Sequence, residues 1–119
     1  MLALNSSTRY LLYHRATDMR KGFSGLSGLV NNELNTPVMN GDVFIFLNKR
    51  RNQIKLLQWD RDGFAIYHKR LEAGTFELPA SATQDIQGVI TSGQLALILQ
   101  GISLKQVFYR KRYLPKKVA

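Results

Sequence analysis

Residues 41–79 constrain the fold of this 119-residue chain more than any other stretch. Residues 43–47, VFIFL, have the β-branched and aromatic composition of a strand, and residues 53–59, QIKLLQW, that of its antiparallel partner. The next four residues, DRDG, contain an Asp-Gly pair that favours a tight turn into a third strand over residues 64–68. The sequence therefore predicts a three-stranded antiparallel meander.

The loop between the first two of these strands is strongly basic. Lys49, Arg50 and Arg51 follow one another, and Lys55 lies just beyond them. Lysine and arginine are rarely buried without a partner, so this loop must face either water or an anionic surface.

The chain before the meander predicts one strand and one helix. Residues 9–14 are apolar and aromatic, and are the first candidate strand. A helix is expected over residues 19–34, with Thr17 as its N-cap and Asp18 near the positive end of its dipole. Apolar residues recur there at spacings of three and four, so one side of the helix should face a core.

Glycines at positions 22, 25 and 28 lie in this predicted helix, where each costs about 1 kcal/mol relative to alanine. Two explanations remain open. The glycines let another backbone approach closely, or the turn formed by Arg20, Lys21 and Gly22 approaches a phosphate. Close packing is the favoured explanation because the pattern does not match a strand-to-helix phosphate loop.

The chain after the meander predicts a second helix over residues 91–100. Thr91 can act as its N-cap, Gln94 holds the capping-box position, and Gly101 marks the end. Short strands are expected at residues 76–79 and 104–109, with a loop over residues 80–87. The expected fold is α+β: a mainly antiparallel sheet built on the three-stranded meander, with two helices packed against it.

Charge is distributed unevenly along the chain. Seventeen Lys and Arg against eight Asp and Glu give a formal net charge of +9, and most of the excess lies in residues 49–55 and 105–117. Such blocks favour a polyanionic partner, although a solvated loop and tail would look the same. We expect one domain over residues 1–109 and a flexible basic arm over residues 110–119.

The composition also excludes several classes of protein. The chain has no cysteine, so disulfide, thiolate-metal and cysteine-nucleophile chemistry are excluded. No run reaches the roughly 18 apolar residues of a membrane span, and the first residues do not have the pattern of a signal peptide. We therefore expect a cytoplasmic protein with no membrane partner.

Enzymatic chemistry has little support in the sequence. Asp42, Asp60, Asp62 and Glu72 are the one plausible carboxylate cluster, but Asp60 and Asp62 fit turn positions better than metal ligation. His14 and His68 lie on predicted strands and favour a partly buried structural role. No catalytic serine arrangement, cofactor or small-molecule substrate is predicted.

Four motifs together resemble a known family. TDMRKGFSGL (17–26), GDVFIFLNKRRNQIKLLQWDRDGF (41–64), KRLEAGTFELP (69–79) and ITSGQLALILQGI (90–102) occur in this order and spacing. They are similar to the small accessory protein, also called TnpB or second open reading frame product, of bacterial insertion sequence 66 transposable elements. The resemblance covers residues 8–103. It implies a role in DNA transposition beside a separate, larger transposase, without an established catalytic activity or cofactor.

Two hypotheses follow. In the first, the chain is a non-enzymatic accessory protein that binds DNA, at the transposon ends, through the basic hairpin. In the second, it is an adaptor that recruits or organises the transposase through the aromatic sheet face or the glycine-containing helix, without specific DNA readout. The candidate DNA-binding residues are Lys49, Arg50, Arg51, Lys55, Arg20, Lys21, Lys69, Arg70, Arg110, Lys111 and Arg112.

Overall fold

A computed structural model describes residues 7–13, 15–34, 36–78 and 87–101. It shows an α+β fold whose strands are β1 Tyr10–Tyr13, β2 Val43–Leu47, β3 Gln53–Asp60, β4 Gly63–Arg70 and β5 Gln87–Ile90. They form one five-stranded mixed sheet with the order β4-β3-β2-β1-β5. The helices are α1 Phe23–Leu29, which continues as a π-helical turn over Val30–Leu34, and α2 Ser92–Gln100.

The predicted meander forms one side of the sheet, as β2, β3 and β4. Strands β3 and β4 are longer than predicted, and Asp60 pairs with Gly63, so the connecting turn is centred on Arg61 and Asp62. Arg61 adopts the left-handed conformation, with φ 59°. The turn therefore lies within residues 60–63, as predicted, although Gly63 already belongs to β4.

Strand β1 makes the sheet mixed, which the prediction of a mainly antiparallel sheet did not include. It pairs in parallel with β2, from Tyr10 opposite Val43 to Tyr13 opposite Phe46. On its other side it pairs antiparallel with β5. Parallel neighbours need a crossover connection, and here α1 and its π-helical turn supply it. Gln87, predicted as loop, begins β5.

The two helices pack on opposite faces of the sheet. Alternate residues of β1 and β2 point to each face, so Leu11 and Phe44 belong to the cluster with α1, and Leu12 and Ile45 to the cluster with α2. Every residue of β1 and β2 is consequently buried. A strand covered on both sides has a continuous apolar sequence rather than an alternating one, which explains the run VFIFL.

Helix α1 is shorter than predicted, and Thr17 does not cap it. The buried Thr17 instead donates its backbone N–H to the carbonyl of Leu47, 2.8 Å away, so this segment is tied to the end of β2. Helix α1 begins only at Phe23. The π-helical turn at its end was not predicted.

The close-packing explanation of the glycines is not supported within the described residues. A Cβ atom added at Gly22 or Gly28 would meet nothing within 4 Å, and the atoms nearest to one at Gly25 would belong to the Lys21 side chain. Gly22 and Gly28 therefore do not lie against another element of the described fold, and Gly25 faces the side chain of the segment just before its own helix.

The prediction for α2 is confirmed. The Thr91 hydroxyl accepts a hydrogen bond from the Gln94 backbone, the Gln94 side chain accepts one from the Thr91 backbone, and Gly101 ends the helix with φ 82°. Residues 76–78, predicted as part of an edge strand, are not a strand. The predicted strand over residues 104–109 and the basic arm over residues 110–119 lie outside the described residues. Neither described helix has the length and apolar character that crossing a membrane requires.

Candidate nucleic-acid interface

The loop between β2 and β3, residues 48–52, is held in one shape by the side chain of Asn48. Its Oδ1 accepts hydrogen bonds from the backbone N–H groups of Asn52 and Gln53, each at 3.0 Å. Its backbone carbonyl accepts from Arg51 at 3.0 Å, which closes a β-turn around Lys49 and Arg50. Arg51 then takes a left-handed conformation, with φ 57°. We call residues 48–52 the hairpin tip.

The chain that follows β4 fixes the hairpin tip from behind. The backbone N–H of Leu71 donates to the Asn52 carbonyl and that of Phe76 to the Arg51 carbonyl, each at 2.7 Å. Leu71 and Phe76 are buried in the sheet core, so these bonds tie the tip to a fixed part of the molecule. A loop held in this way loses little conformational entropy on binding a partner.

The three cations of the tip have no acidic partner among the described residues. Lys49, Arg50 and Arg51 are exposed. The described ion pairs, with N–O distances of 2.6–3.3 Å, all involve other arginines. These pairs are Arg9–Asp42, Arg15–Glu33, Arg20–Asp18 and Arg70–Glu72. The tip therefore carries a concentrated positive charge that no carboxylate of the described residues neutralises.

Lys55, also predicted as a DNA contact, is buried on β3. Its ammonium donates to the backbone carbonyls of Met19 and Lys21, each at 2.8 Å. These bonds satisfy the buried charge and hold the segment before α1 against the sheet. Lys55 thus holds the segment that contains Arg20 and Lys21 rather than facing solvent itself.

An open groove of about 530 Å³ lies between this segment and the hairpin tip. Its walls include Arg20, Lys49 and Arg50. Arg20 also binds Asp18, which lines the same groove, through Nη2 and Oδ2 at 2.7 Å. Hydrogen bonds from the Arg20 side chain, and then from its backbone, lower the pKa of Asp18 from 3.8 to about 2. The groove is therefore basic but contains one ionised carboxylate.

A smaller hollow of about 110 Å³ lies on the other side of the tip. Arg15, Lys49 and Arg51 contribute its cations. Arg15 was not among the predicted site residues. It follows β1 as Lys49 follows β2, and the parallel pairing of these strands brings the two residues to the same edge of the sheet. The sequence signal would have been a cation two residues after each of two adjacent parallel strands.

Lys69 and Arg70 lie on opposite faces of the sheet and do not form one surface. Arg70 is opposite Gln53 and binds Glu72 at 3.2 Å. Lys69 is opposite Ile54, and its ammonium is 3.4 Å from the Leu99 carbonyl near the end of α2. Cations near a helix C-terminus interact favourably with its dipole, so Lys69 has a role within the fold.

The histidine and carboxylate candidates do not converge. His68 was predicted to be partly buried but is exposed, and its Nε2 lies 2.9 Å from Oε1 of Gln53. The slight desolvation that its ring retains, then the charges of Lys55 and Arg70, lower its pKa. Asp42 and Glu72 bind arginines, and Asp60 and Asp62 are at the β3–β4 turn. No group of three or more potential metal ligands occurs within the described ranges.

Two pairs of aromatic side chains on the sheet pack against each other. Trp59 and Phe64, opposite each other on β3 and β4, meet edge to face with ring centroids 5.0 Å apart. Tyr13 and Phe46 are tilted at 5.8 Å. These rings stabilise the sheet, as expected for cross-strand and neighbouring pairs. His14, Arg110, Lys111 and Arg112 lie outside the described residues.

Comparison with known proteins gives one family and two curated relatives. Residues 8–108 match the family model described as IS66 Orf2 like protein. Uncharacterized protein y4jC of Sinorhizobium fredii (strain NBRC 101917 / NGR234) is 28% identical over 119 residues, 100% of both chains. Uncharacterized protein y4hO of the same strain is 30% identical over 102 residues, 86% of this chain and 87% of its own. The search of solved structures gave no match.

Proposed function

Since this chain belongs to the family of IS66 Orf2-like proteins, we propose that it is a non-enzymatic accessory protein of DNA transposition that binds DNA through the hairpin tip. Family membership supports the accessory role in transposition. Its partners are then the DNA of the transposon ends and the transposase of the same element.

The observation that supports DNA binding is the charge of the tip, which no described carboxylate pairs with. Three adjacent exposed cations, Lys49, Arg50 and Arg51, project from a backbone that Asn48 and Phe76 hold in place. Neutralising phosphates releases condensed counterions, which is the main source of sequence-independent affinity for DNA. A β-ribbon also fits the major groove.

The other candidate cations contribute differently. Arg20 lines the groove beside the tip and adds to the basic surface, although Asp18 pairs with it there, and Lys21 follows Arg20 on the same segment. Arg70 lies on the same face but at its edge. Lys55 and Lys69 support the surface from within the fold. A contribution from Arg110, Lys111 and Arg112 rests on their charge alone.

The hairpin turns offer a matched pair of variants to test this function. Arg51 and Arg61 are both exposed arginines with φ near 58°, at opposite ends of β3. Replacing either with glycine removes one charge and relieves the same backbone strain. We expect Arg51→Gly to weaken binding to element-end duplex by about three- to ten-fold and Arg61→Gly to leave it nearly unchanged, measured by fluorescence anisotropy.

A salt titration tests the whole tip. Replacing Lys49, Arg50 and Arg51 together with glutamine should reduce the steepness of log K against log salt by about three, since each phosphate contact contributes about 0.9. Equal losses for Arg51→Gly and Arg61→Gly, or an unchanged slope for the triple variant, would show that the tip is not the DNA-binding element.

A protein–protein role is favoured by one observation. Phe23, the first residue of α1, is 52% exposed, although large aromatic residues are usually buried. In this second function the chain binds the transposase through α1. Co-purification with the transposase from nuclease-treated lysate tests it. If the wild type stays bound to the transposase and Phe23→Ser does not, the chain is an adaptor. If nuclease treatment releases the wild type from the transposase, the two proteins are tethered through DNA.

A further inference from the structure

The small hollow beside the tip lies at the carboxyl ends of β1 and β2, the parallel pair. In open sheets that contain parallel strands, ligands bind in the crevice outside these ends. The segment after β1 crosses the end of β2, where Thr17 bonds to Leu47, and so forms one wall. The tip forms the other.

The side chains of the hollow suit an anion. Arg15, Lys49 and Arg51 line it, and none of the described residues that line it is acidic. Leu47, Leu78 and the buried Tyr13 supply apolar surface next to the cations. Partial exclusion of water by such surface strengthens the attraction between the cations and a bound anion.

Arg15 is held in place without using all of its donors. Its Nη1 lies 3.3 Å from Oε1 of Glu33, while Oε2 of Glu33 accepts a hydrogen bond from the Tyr13 hydroxyl at 2.7 Å. A guanidinium has five N–H donors. Arg15 is therefore oriented by Glu33 and can still present N–H groups to a ligand.

The size of the hollow limits the ligand. About 110 Å³ is well below the roughly 300–1,000 Å³ of pockets that take cofactors or drug-sized molecules. The larger groove across the tip is less suited to one tightly held anion, because it is open and Asp18 already occupies Arg20 there.

We propose that the hollow formed by Arg15, Lys49 and Arg51 binds one tetrahedral phosphate group. This goes further than the proposed function and partly rests on it: when the protein binds DNA, the group is a single backbone phosphate of that DNA. Free inorganic phosphate has the same chemistry and is the simplest probe.

The first arm of the test uses inorganic phosphate with the full chain, followed by ¹H–¹⁵N NMR. We expect saturable shifts of the Ala16, Lys49 and Arg51 amides, and about five-fold or greater weakening in Arg15→Gln. Lys49→Gln provides a second variant because no described contact of the fold depends on its side chain. Arg61→Gln, at the other end of β3 and outside the hollow, should bind phosphate as the wild type does. Absence of saturable binding, or unchanged binding in both Arg15→Gln and Lys49→Gln, overturns the proposal.

The second arm uses element-end duplex. Arg15→Gln should reduce the slope of log K against log salt by about one. If the tip variants weaken DNA binding but Arg15→Gln leaves the slope unchanged, the hollow is not a phosphate site on DNA and the proposed function stands. If phosphate binds as described but DNA does not, the hollow stands as a site for free phosphate and the proposed function fails.

Discussion

Lys55 is a cation whose position in the sequence does not reveal its role. It follows the tip cations closely and was predicted to contact DNA with them, yet its ammonium is buried between two backbone carbonyls. Sequence spacing places a residue on a strand, but which face of that strand is covered depends on the segment that packs there. Here that segment is the connection from β1 to α1.

A Lys55→Met variant separates a positioning role from direct contact. It keeps the aliphatic stem but leaves the carbonyls of Met19 and Lys21 without their donor, so the free energy of unfolding should fall by about 1–3 kcal/mol. Urea unfolding measures this change. The control is Lys49→Met at the exposed tip, whose free energy of unfolding should be within about 0.5 kcal/mol of wild type. The slope of log K for DNA binding against log salt should fall by about one in Lys49→Met and should not change in Lys55→Met. A stable Lys55→Met protein with a reduced slope would assign Lys55 to the DNA surface instead.

The pair formed by Asp18 and Arg20 predicts a pH dependence. The pKa of Asp18 is about 2 in the fold and 3.8 for the free side chain, so the folded state favours the ionised form. Any stability that the pair provides is thus fully present above about pH 4 and is lost as the pH falls through about 2. Carboxyl ¹³C NMR should show that Asp18 titrates at this low pH in the wild type, and that its pKa returns towards 3.8 in Arg20→Gln. An unchanged titration in Arg20→Gln would assign the shift to another cause.

At the scale of elements, local signals predicted α2 well and α1 poorly. The cap, the capping box and the terminal glycine of α2 lie within residues 91–101 and act on their own helix. Thr17 has the same type of side chain as Thr91, but it lies in a segment that is bonded to β2, so α1 begins at Phe23. The parallel pairing of β1 with β2 likewise depends on partners distant in sequence. The sequence did not indicate Arg15 as a site residue because its position beside the tip depends on this pairing.

The capping box of α2 can be tested by substitution. Thr91→Ala removes the acceptor for the Gln94 backbone N–H, which lies 3.0 Å from the hydroxyl oxygen. Loss of an N-cap costs about 1 kcal/mol, so thermal and urea unfolding should show a decrease of that size. Thr91→Ser retains the hydroxyl and should remain close to wild type. Equal stability of the alanine and serine variants would mean that the cap does not limit the stability of α2.

At the scale of the whole molecule, one sheet separates two apolar cores. Phe44 and Ile45 are neighbours on β2, yet Phe44 packs with the α1 cluster and Ile45 with the α2 cluster. The apolar run of β2 was apparent in the sequence, but the burial of both faces was not predicted, because it requires both helices to be placed. Both cores share the backbone of β1 and β2, so we expect them to unfold together.

Alanine substitutions on β2 test this coupling. Phe44→Ala and Ile45→Ala should each lower the free energy of unfolding by about 3 kcal/mol, since both side chains are almost fully buried. Trp59 is the single tryptophan of the chain, and its fluorescence reports on the meander. In both variants, fluorescence and far-ultraviolet circular dichroism should follow one transition. Separate transitions in Ile45→Ala would show that the core beneath α2 unfolds independently.

The parallel pairing of β1 and β2 also has a consequence for the order of folding. The meander closes through short turns, whereas Tyr10 must find Val43 across the whole crossover, and closing a longer loop costs more entropy. Contacts distant in sequence form more slowly than local ones. The hairpin tip is thus expected to form before Arg15 arrives beside it. During synthesis, the chain would attract polyanions as soon as the hairpin closed, and would hold a phosphate in a defined place only after β1 had docked.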